Sequence, residues 1–242
     1  MAHDADELPA AAQSLLDACV QRRAGGEPLA YITGRKEFFG LDLRVDARVL
    51  IPRPDTETLV EWALEVLPAQ TSAAEPARVL DLGTGSGAIA LALKATRADL
   101  QVSAVDTSED ALTVARENAR RLKLNIDFQQ GSWLTGVQEK YHAIVSNPPY
   151  IAAHDPHLEA LQHEPAQALS SGTDGLQDIR HIIASAGAHL LPGAWLLLEH
   201  GFDQAAAVRE LLQLAGFANV QSRQDLNGIE RCSGGRTAHG NY

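Results

Sequence analysis

At 242 residues, with 45% hydrophobic and 21% charged positions, the chain has the makeup of an ordinary globular protein large enough to bury a proper core. Twenty basic against 31 acidic residues give a formal net charge of -11, which repels a phosphate backbone and speaks against an extended nucleic-acid footprint. Cys19 and Cys232 make no disulfide framework and no apolar run reaches membrane-spanning length, so the expected compartment is the cytoplasm.

In chain order, Leu8, Ala12, Leu15, Leu16, Cys19 and Val20 recur at helical spacing and end at Gly25-Gly26. A lone amphipathic helix cannot bury its own stripe, so this one is expected to dock on something. Residues 28–54 change character: short β-like runs flank Gly40-Leu41-Asp42, which reads as a hairpin turn. Pro52-Arg53-Pro54-Asp55 then breaks the strand and starts a helix, with Asp55 as the expected N-cap. Leu59, Val60, Ala63, Leu64 and Leu67 form its buried face, and Gln70 to Pro76 is a small-residue linker.

From Ala77 onward strand and helix alternate, the pattern of a mainly parallel sheet. Strands are expected at Arg78–Leu82, Val102–Asp106, Ile126–Gln129, Ala143–Asn147 and Trp195–Glu199. Helices are expected at Gly87–Thr96, Ser108–Leu122, Gly175–Leu190 and Asp203–Ala215. The last two runs, Asn219–Gln224 and Glu230–Ser233, flank Asp225-Leu226-Asn227-Gly228 and make an antiparallel hairpin. A mainly parallel sheet that ends in an antiparallel hairpin resembles the Rossmann-like class I methyltransferases, so the expected fold class is α/β with a sheet of seven strands, preceded by a helical remnant and a small hairpin.

Two stretches carry chemistry. In the first, Val79-Leu80-Asp81-Leu82 runs into Gly83-Thr84-Gly85-Ser86-Gly87-Ala88, a glycine loop between a buried strand and a helix. Gly83, Gly85 and Ala88 satisfy the dinucleotide fingerprint, and Asp106 has the spacing of a ribose-binding acid, which serves NAD or S-adenosylmethionine equally well. Asp81 favours the second ligand, because a carboxylate there attracts the ammonium of an amino-acid moiety and repels a pyrophosphate. Gly131-Ser132-Trp133 follows the third strand; Trp133 is placed to cover an adenine or, alternatively, to plug the sheet edge.

The second stretch is Asn147-Pro148-Pro149-Tyr150, where a strand ends on a turn that can neither continue a ladder nor become helix. Such a stiff turn holds acceptors in one place. The Asn147 side-chain oxygen and the Pro148 carbonyl can each take one N–H of a planar amino group, with Pro149 and Tyr150 walling it in. Hydride transfer has no use for this arrangement. His154, His157 and His163, with Asp155 and Glu159, follow at spacings that fit no standard zinc pattern, so no metal is expected.

These residues carry a resemblance. Pro28-Leu-Ala-Tyr-Ile-Thr-Gly34, Glu37-Phe-Phe-Gly40, Leu50-Ile-Pro-Arg-Pro-Asp-Thr-Glu57, the glycine loop, Asn147-Pro-Pro-Tyr-Ile151, Glu164-Pro165 with Ala168-Leu169, and Gly228-Ile-Glu-Arg231 together resemble the HemK/PrmC family of protein glutamine N5-methyltransferases. Asn-Pro-Pro-Tyr alone also occurs in enzymes that methylate adenine; the Arg53-to-Glu57 stretch makes the match specific. The resemblance implies S-adenosylmethionine as methyl donor, S-adenosylhomocysteine as product, and the Gly-Gly-Gln glutamine of class I peptide chain release factors as acceptor. It implies catalytic roles for Asn147, Pro148 and Tyr150 and substrate contacts from these and Pro149. Cofactor contacts are expected from Asp81, Gly83, Thr84, Gly85, Ser86, Gly87, Asp106, Trp133 and Asn147.

The domain expectation is a helical remnant of a substrate-docking domain over 1–27, a β-hairpin connector over 28–54 and the methyltransferase domain over 55–242. The family usually has a longer N-terminal helical domain, so the chain is expected to begin inside it. Arg53 and Thr56 stand open between bordering the cofactor or substrate and, for Arg53, pairing with an acid. Glu164 and Arg231 stand open between clamp and surface charge. The rival readings are a ribosomal-protein glutamine or a nucleic-acid amine as acceptor, an NAD(P)-dependent oxidoreductase, and a silent cofactor-binding adaptor.

Overall fold

A computed structural model describes residues 9–68 and 76–238. Leu8 of the N-terminal stripe and residues 70–75 of the small-residue linker lie outside them. The chain opens with α1 (Ala10–Ala24) and a one-turn helix, α2 (Leu29–Thr33), and then forms the hairpin of β1 (Arg35–Phe38) and β2 (Leu41–Arg44). A short 3-10 turn over Pro54–Thr56 leads into α3 (Glu57–Val66). The large sheet is built from β3 (Arg78–Leu82), β4 (Gln101–Asp106), β5 (Asp127–Gln130), β6 (Tyr141–Ser146), β7 (Leu190–Glu199), β8 (Ala218–Gln224) and β9 (Glu230–Arg236). Its helices are α4 (Ala88–Thr96), α5 (Glu109–Leu122), the short α6 (His157–Ala160), α7 (Gln177–Ala186) and α8 (Ala205–Leu214).

The strand order is β5-β4-β3-β6-β7-β9-β8, parallel from β5 through β7 and closed by the antiparallel β9 and β8. After β3 the chain builds outward through β4 and β5, then returns to lay β6 on the other side of β3. That reversal opens a crevice at the carboxyl ends of β3, β4 and β6, where open α/β sheets bind ligands.

Alternation along each strand feeds two cores. Val79, Val145 and Leu197 face α3 and α4, where Leu59, Trp62 and Leu91 are buried. Leu80, Ile144, Leu196 and Leu198 face Ile179, Ile182, Val208 and Leu212 of α7 and α8. Period-2 patterning thus covers both faces of a central sheet with helices. A third cluster joins Tyr31, Val45, Val49 and Ile51 to Ala111 and Val114 of α5, and the Tyr31 hydroxyl donates to the Val49 carbonyl at 2.6 Å. The segment after β2 is thereby fixed as one wall of the crevice.

Several expectations need correction. The hairpin turn is Phe39-Gly40, not Gly40-Leu41-Asp42: Phe38 pairs with Leu41, and the two turn residues have φ of 49° and 75°. That geometry matches the twist of the strands, and the Glu57 and Glu37 carboxylates accept the Phe39 and Gly40 N–H groups. Asp55 is not an N-cap; it sits inside the 3-10 turn and pairs with Arg231 at 3.2 Å. Among the described residues the α1 stripe is left largely uncovered: Leu15, Leu16 and Val20 stay exposed, Leu15 at 67%. β7 starts at Leu190, five residues before the expected Trp195, and runs through Pro192-Gly193; an irregularity opposite Tyr141 and Ala143 absorbs them.

Candidate active site

The glycine loop leaves β3 with Gly83, Gly85 and Gly87 all at positive φ and hands the chain to α4. Asn118 of α5 braces it from beneath: its buried amide donates to the Ser86 and Arg44 carbonyls at 3.0 Å and accepts from Arg44 N–H at 2.7 Å. One side chain therefore ties the hairpin to the loop. A cleft of about 300 Å³ lies above, with Gly83, Gly85, Asp106, Trp133, Asn147 and Leu50 among its walls.

Asp106, at the tip of β4, accepts from Gly85 N–H at 2.8 Å and Ser108 N–H at 2.9 Å, and burial raises its pKa. Each oxygen keeps a lone pair for a hydroxyl in the cleft. Trp133 adopts φ 50°, rare for a bulky residue; its ring lies against Gly83, and its indole N–H donates to Asp178 of α7 at 3.2 Å.

Asp81 lies under the loop rather than in the cleft wall, with 0% exposure. Its Oδ2 accepts from Thr84 Oγ1 at 2.7 Å and Ala90 N–H at 3.2 Å, while Oδ1 is buried without a hydrogen-bond partner. Burial outweighs these bonds and pushes the carboxyl up to about 7. Thr84, Ser86 and Gly87 do not line the cleft. A Cβ on Gly87 would stand 3.0 Å from Leu91 and 3.3 Å from Ala115, so this glycine serves the packing of α4 on α5.

At the end of β6, Asn147 borders both the main cleft and an adjoining cavity of about 70 Å³ whose walls include Arg53, Tyr150 and Leu169. Asn147 Nδ2 donates to Thr56 Oγ1 at 3.2 Å, so its side-chain oxygen carries the remaining acceptor capacity. Pro149 lines the main cleft; Pro148 is buried and lines neither space. The Tyr150 hydroxyl donates to Glu199 at 3.2 Å, and its pKa is raised by burial and by that neighbouring carboxylate, so it is a neutral phenol at physiological pH.

The backbone past the turn is held as firmly. Gln204 Nε2 donates to the Tyr150 carbonyl at 3.0 Å, and Gly175, at φ 74°, passes so close that a Cβ there would overlap this same carbonyl. Gly175→Ala should therefore cost about 2–4 kcal/mol and lower turnover by displacing Tyr150. Thermal denaturation beside a rate measurement checks this, and wild-type values for both would refute it.

Arg53 pairs with Glu164, whose other oxygen accepts Ile51 N–H at 3.1 Å. Glu164 is thus a buried clamp on the Ile51–Arg53 segment, and Arg231 joins Asp55 to Asp225 at 3.2 Å. The histidines past the turn do not converge; His157 bonds Asp155 at 2.6 Å, and among the described residues no three His, Cys, Asp or Glu side chains stand together as a metal site. Sequence reasoning missed Glu199 and Asp178. Glu199 was visible only as the last residue of a strand ending on the same sheet edge as Asp106 and Asn147.

Residues 59–175 match the methyltransferase small domain family and residues 1–34 the PrmC N-terminal domain family. The release factor glutamine methyltransferase of Burkholderia pseudomallei is 51% identical over 243 residues, covering 96% of this chain and 84% of that protein. The enzyme of the same name from Coxiella burnetii is 48% identical over 227 residues, covering 93% and 80%. Among solved structures, a methyltransferase from Pyrococcus furiosus superposes with a TM-score of 0.63 at 18% identity, covering 95% of this chain and 100% of that one. Human methyltransferase 10 domain containing protein gives 0.61 at 16% identity, covering 95% and 98%. These two show the fold; with identities near one half over almost the whole chain, the chain belongs to the release factor glutamine methyltransferase family.

Proposed function

We propose that this protein methylates the side-chain amide nitrogen of a glutamine in a class I peptide chain release factor, the glutamine of the Gly-Gly-Gln tip, using S-adenosylmethionine. The observation that carries the reading is the Asn147 amide, at the meeting of a cofactor-sized cleft and a cavity small enough for one side chain, with its nitrogen already committed to Thr56. Asp81 would hold the donor's ammonium through Oδ1, Asp106 its ribose hydroxyls, and Trp133 its adenine. The orphaned buried oxygen of Asp81 is the feature of this site that such a cation fits.

When bound, the donor supplies a methyl group on a sulfonium that is a good leaving group. The chain's own residues handle the acceptor. A carboxamide nitrogen is a poor nucleophile because its lone pair is delocalised into the carbonyl, and no side chain at the turn is a base strong enough to deprotonate it. Asn147 Oδ1 would accept one N–H, aim the nitrogen at the cleft and stabilise the positive charge that develops on it; the Pro148 carbonyl, which borders neither space here, would take the other N–H only as the acceptor seats against the turn. Tyr150, neutral and fixed, packs on the flat amide, and the released proton goes to solvent.

Residues 1–27 read as part of a substrate-docking region, supported by the family match over 1–34 and by the apolar side chains α1 leaves uncovered. A cytoplasmic location fits a translation-factor substrate; no helix among the described residues is long and apolar enough to cross a membrane. The decisive experiment is labelled-methyl transfer to an intact release factor and to its Gln→Ala tip variant. Label on the first alone is expected; label on both or on neither overturns the assignment.

A further inference from the structure

Pro148 and Pro149 have no N–H to give, so the acceptor turn cannot tie itself to the sheet through them by donation. One hold on it comes at the Tyr150 carbonyl, which accepts from Gln204 Nε2 at 3.0 Å. Gln204 stands at the start of α8 and takes no part in methyl transfer as described above; its Oε1 accepts the Gly201 N–H at 2.8 Å. A backbone N–H only donates and a carbonyl only accepts, so an amide set between the two has one possible orientation. Gly175 packs directly on this bond: a Cβ there would stand 2.7 Å from Gln204 Nε2 and overlap the Tyr150 carbonyl.

We propose that Gln204 is a positioning residue for the acceptor turn, holding Tyr150 so that its ring lies where the acceptor amide must pack. Gly201, which sets the Gln204 amide, is itself held. Its carbonyl accepts from Gln204 N–H at 3.0 Å and from Nδ1 of the fully buried His200 at 2.9 Å. Because a carbonyl only accepts, the His200 proton sits on Nδ1, and Nε2 takes the Ser233 hydroxyl at 2.7 Å. Burial holds this imidazole below its usual pKa and therefore neutral. Ser233 Oγ lies 2.7 Å from Ser222 Oγ, which accepts from Arg209 of α8 at 2.6 Å. The polar chain thus runs from the β8–β9 pair through His200 and Gly201 to Gln204. One end of the Gln204 amide is fixed to the sheet, and the turn hangs from the other. Without that donor the peptide after Tyr150 loses this pin, and a shift of about 1 Å in the ring is enough to misaim the bound amide.

This role rests on the reading of the Asn147–Tyr150 turn as the acceptor site, and the test separates the two. With S-adenosylmethionine saturating, Gln204→Met, similar in length and without a donor, should lower kcat roughly 10²-fold at every pH. The KM for S-adenosylmethionine should stay within several-fold of wild type. Gln204→Glu gives a signature that a packing role would not. Ionised, it keeps one oxygen for Gly201 and sets the other against the Tyr150 carbonyl, acceptor against acceptor. Protonated, its O–H donates there as the Gln204 amide does. Its kcat as a fraction of wild type should therefore be about as low as that of Gln204→Met at pH 8 and climb about tenfold or more by pH 5.5. His200 and Asp203 on the same turn, Asp174 next to Gly175, and Tyr150 with Glu199 are common to both enzymes, so the ratio isolates position 204. Wild-type kcat in Gln204→Met, or a Gln204→Glu ratio that stays flat with pH, would each overturn the proposal. Asn147→Ala is the control: near-normal turnover there sinks the reading of the site itself. An inactive Asn147→Ala beside a fully active Gln204→Met sinks only the positioning role.

Discussion

Replacing Asn147 by alanine should lower methyl transfer on the order of 10³-fold while leaving S-adenosylmethionine affinity within several-fold of wild type. The asymmetry follows from where Asn147 stands. It is one of many residues that border the main cleft, whereas the small cavity shared with Tyr150 and Arg53 has no other side-chain amide in its walls. On the proposed reading, losing its oxygen removes an acceptor that holds the nucleophile and offsets its developing charge. An acceptor aimed at a transition-state charge in a site closed to water is worth far more than the same bond in solvent. Its loss therefore falls on kcat. The check is single-turnover methyl transfer together with calorimetric cofactor binding on the same protein. Turnover near wild type would show that the amide is not gripped here. A parallel collapse of cofactor affinity would place Asn147 in the wrong half of the site.

Much of this site was legible in the residues because its parts sit on regular elements. The glycine loop, Asp106 and Asn147 all terminate parallel strands, and strand periodicity is strong where Val, Ile and Leu run unbroken. The hidden parts depend on tertiary proximity. Thr56 precedes Asn147 by 91 positions and meets it only because the turn before α3 folds across the end of β6. Glu199 looked like the polar end of an apolar strand, and nothing local distinguishes a buried strand-end acid from a solvated one. Asp55 looked like a helix cap because it follows a proline break. Its carboxylate went instead to Arg231 at the far end of the chain, a competition between local and distant partners that spacing cannot decide. Phe39 at positive φ had no sequence signal at all, since phenylalanine is a poor choice for a hairpin turn and is held there by the Glu57 carboxylate.

Asp81→Asn should weaken S-adenosylmethionine binding by about 10²-fold or more, and should remove a pH dependence that the wild type shows. The folded Asp81 titrates at about 7, against an ordinary value of 3.8, because the carboxylate is fully buried and only one of its oxygens is satisfied. The sign is that of a raised acid: between pH 4 and 7 the folded state holds a proton that the unfolded chain has lost. Stability therefore falls with rising pH across that window and levels off above it, by about 4 kcal/mol at most for this group. Glu199, also raised to about 7 by burial, adds a second contribution of the same sign. The Asn variant should lose one of these two contributions and melt with a shallower pH slope from 5 to 8. Binding of a cation to Asp81 runs the other way, because it needs the ionised form and must expel the proton. Affinity for S-adenosylmethionine should rise about tenfold per pH unit below about 7 and then plateau, with protons released on binding. In Asp81→Asn that rise should vanish. Titration calorimetry in buffers of different ionisation enthalpy reads affinity and proton release together. A wild-type affinity that is flat from pH 5.5 to 7.5, with no proton released, would take the ammonium away from Asp81 and leave the acid as a brace for the Thr84 hydroxyl and the start of α4.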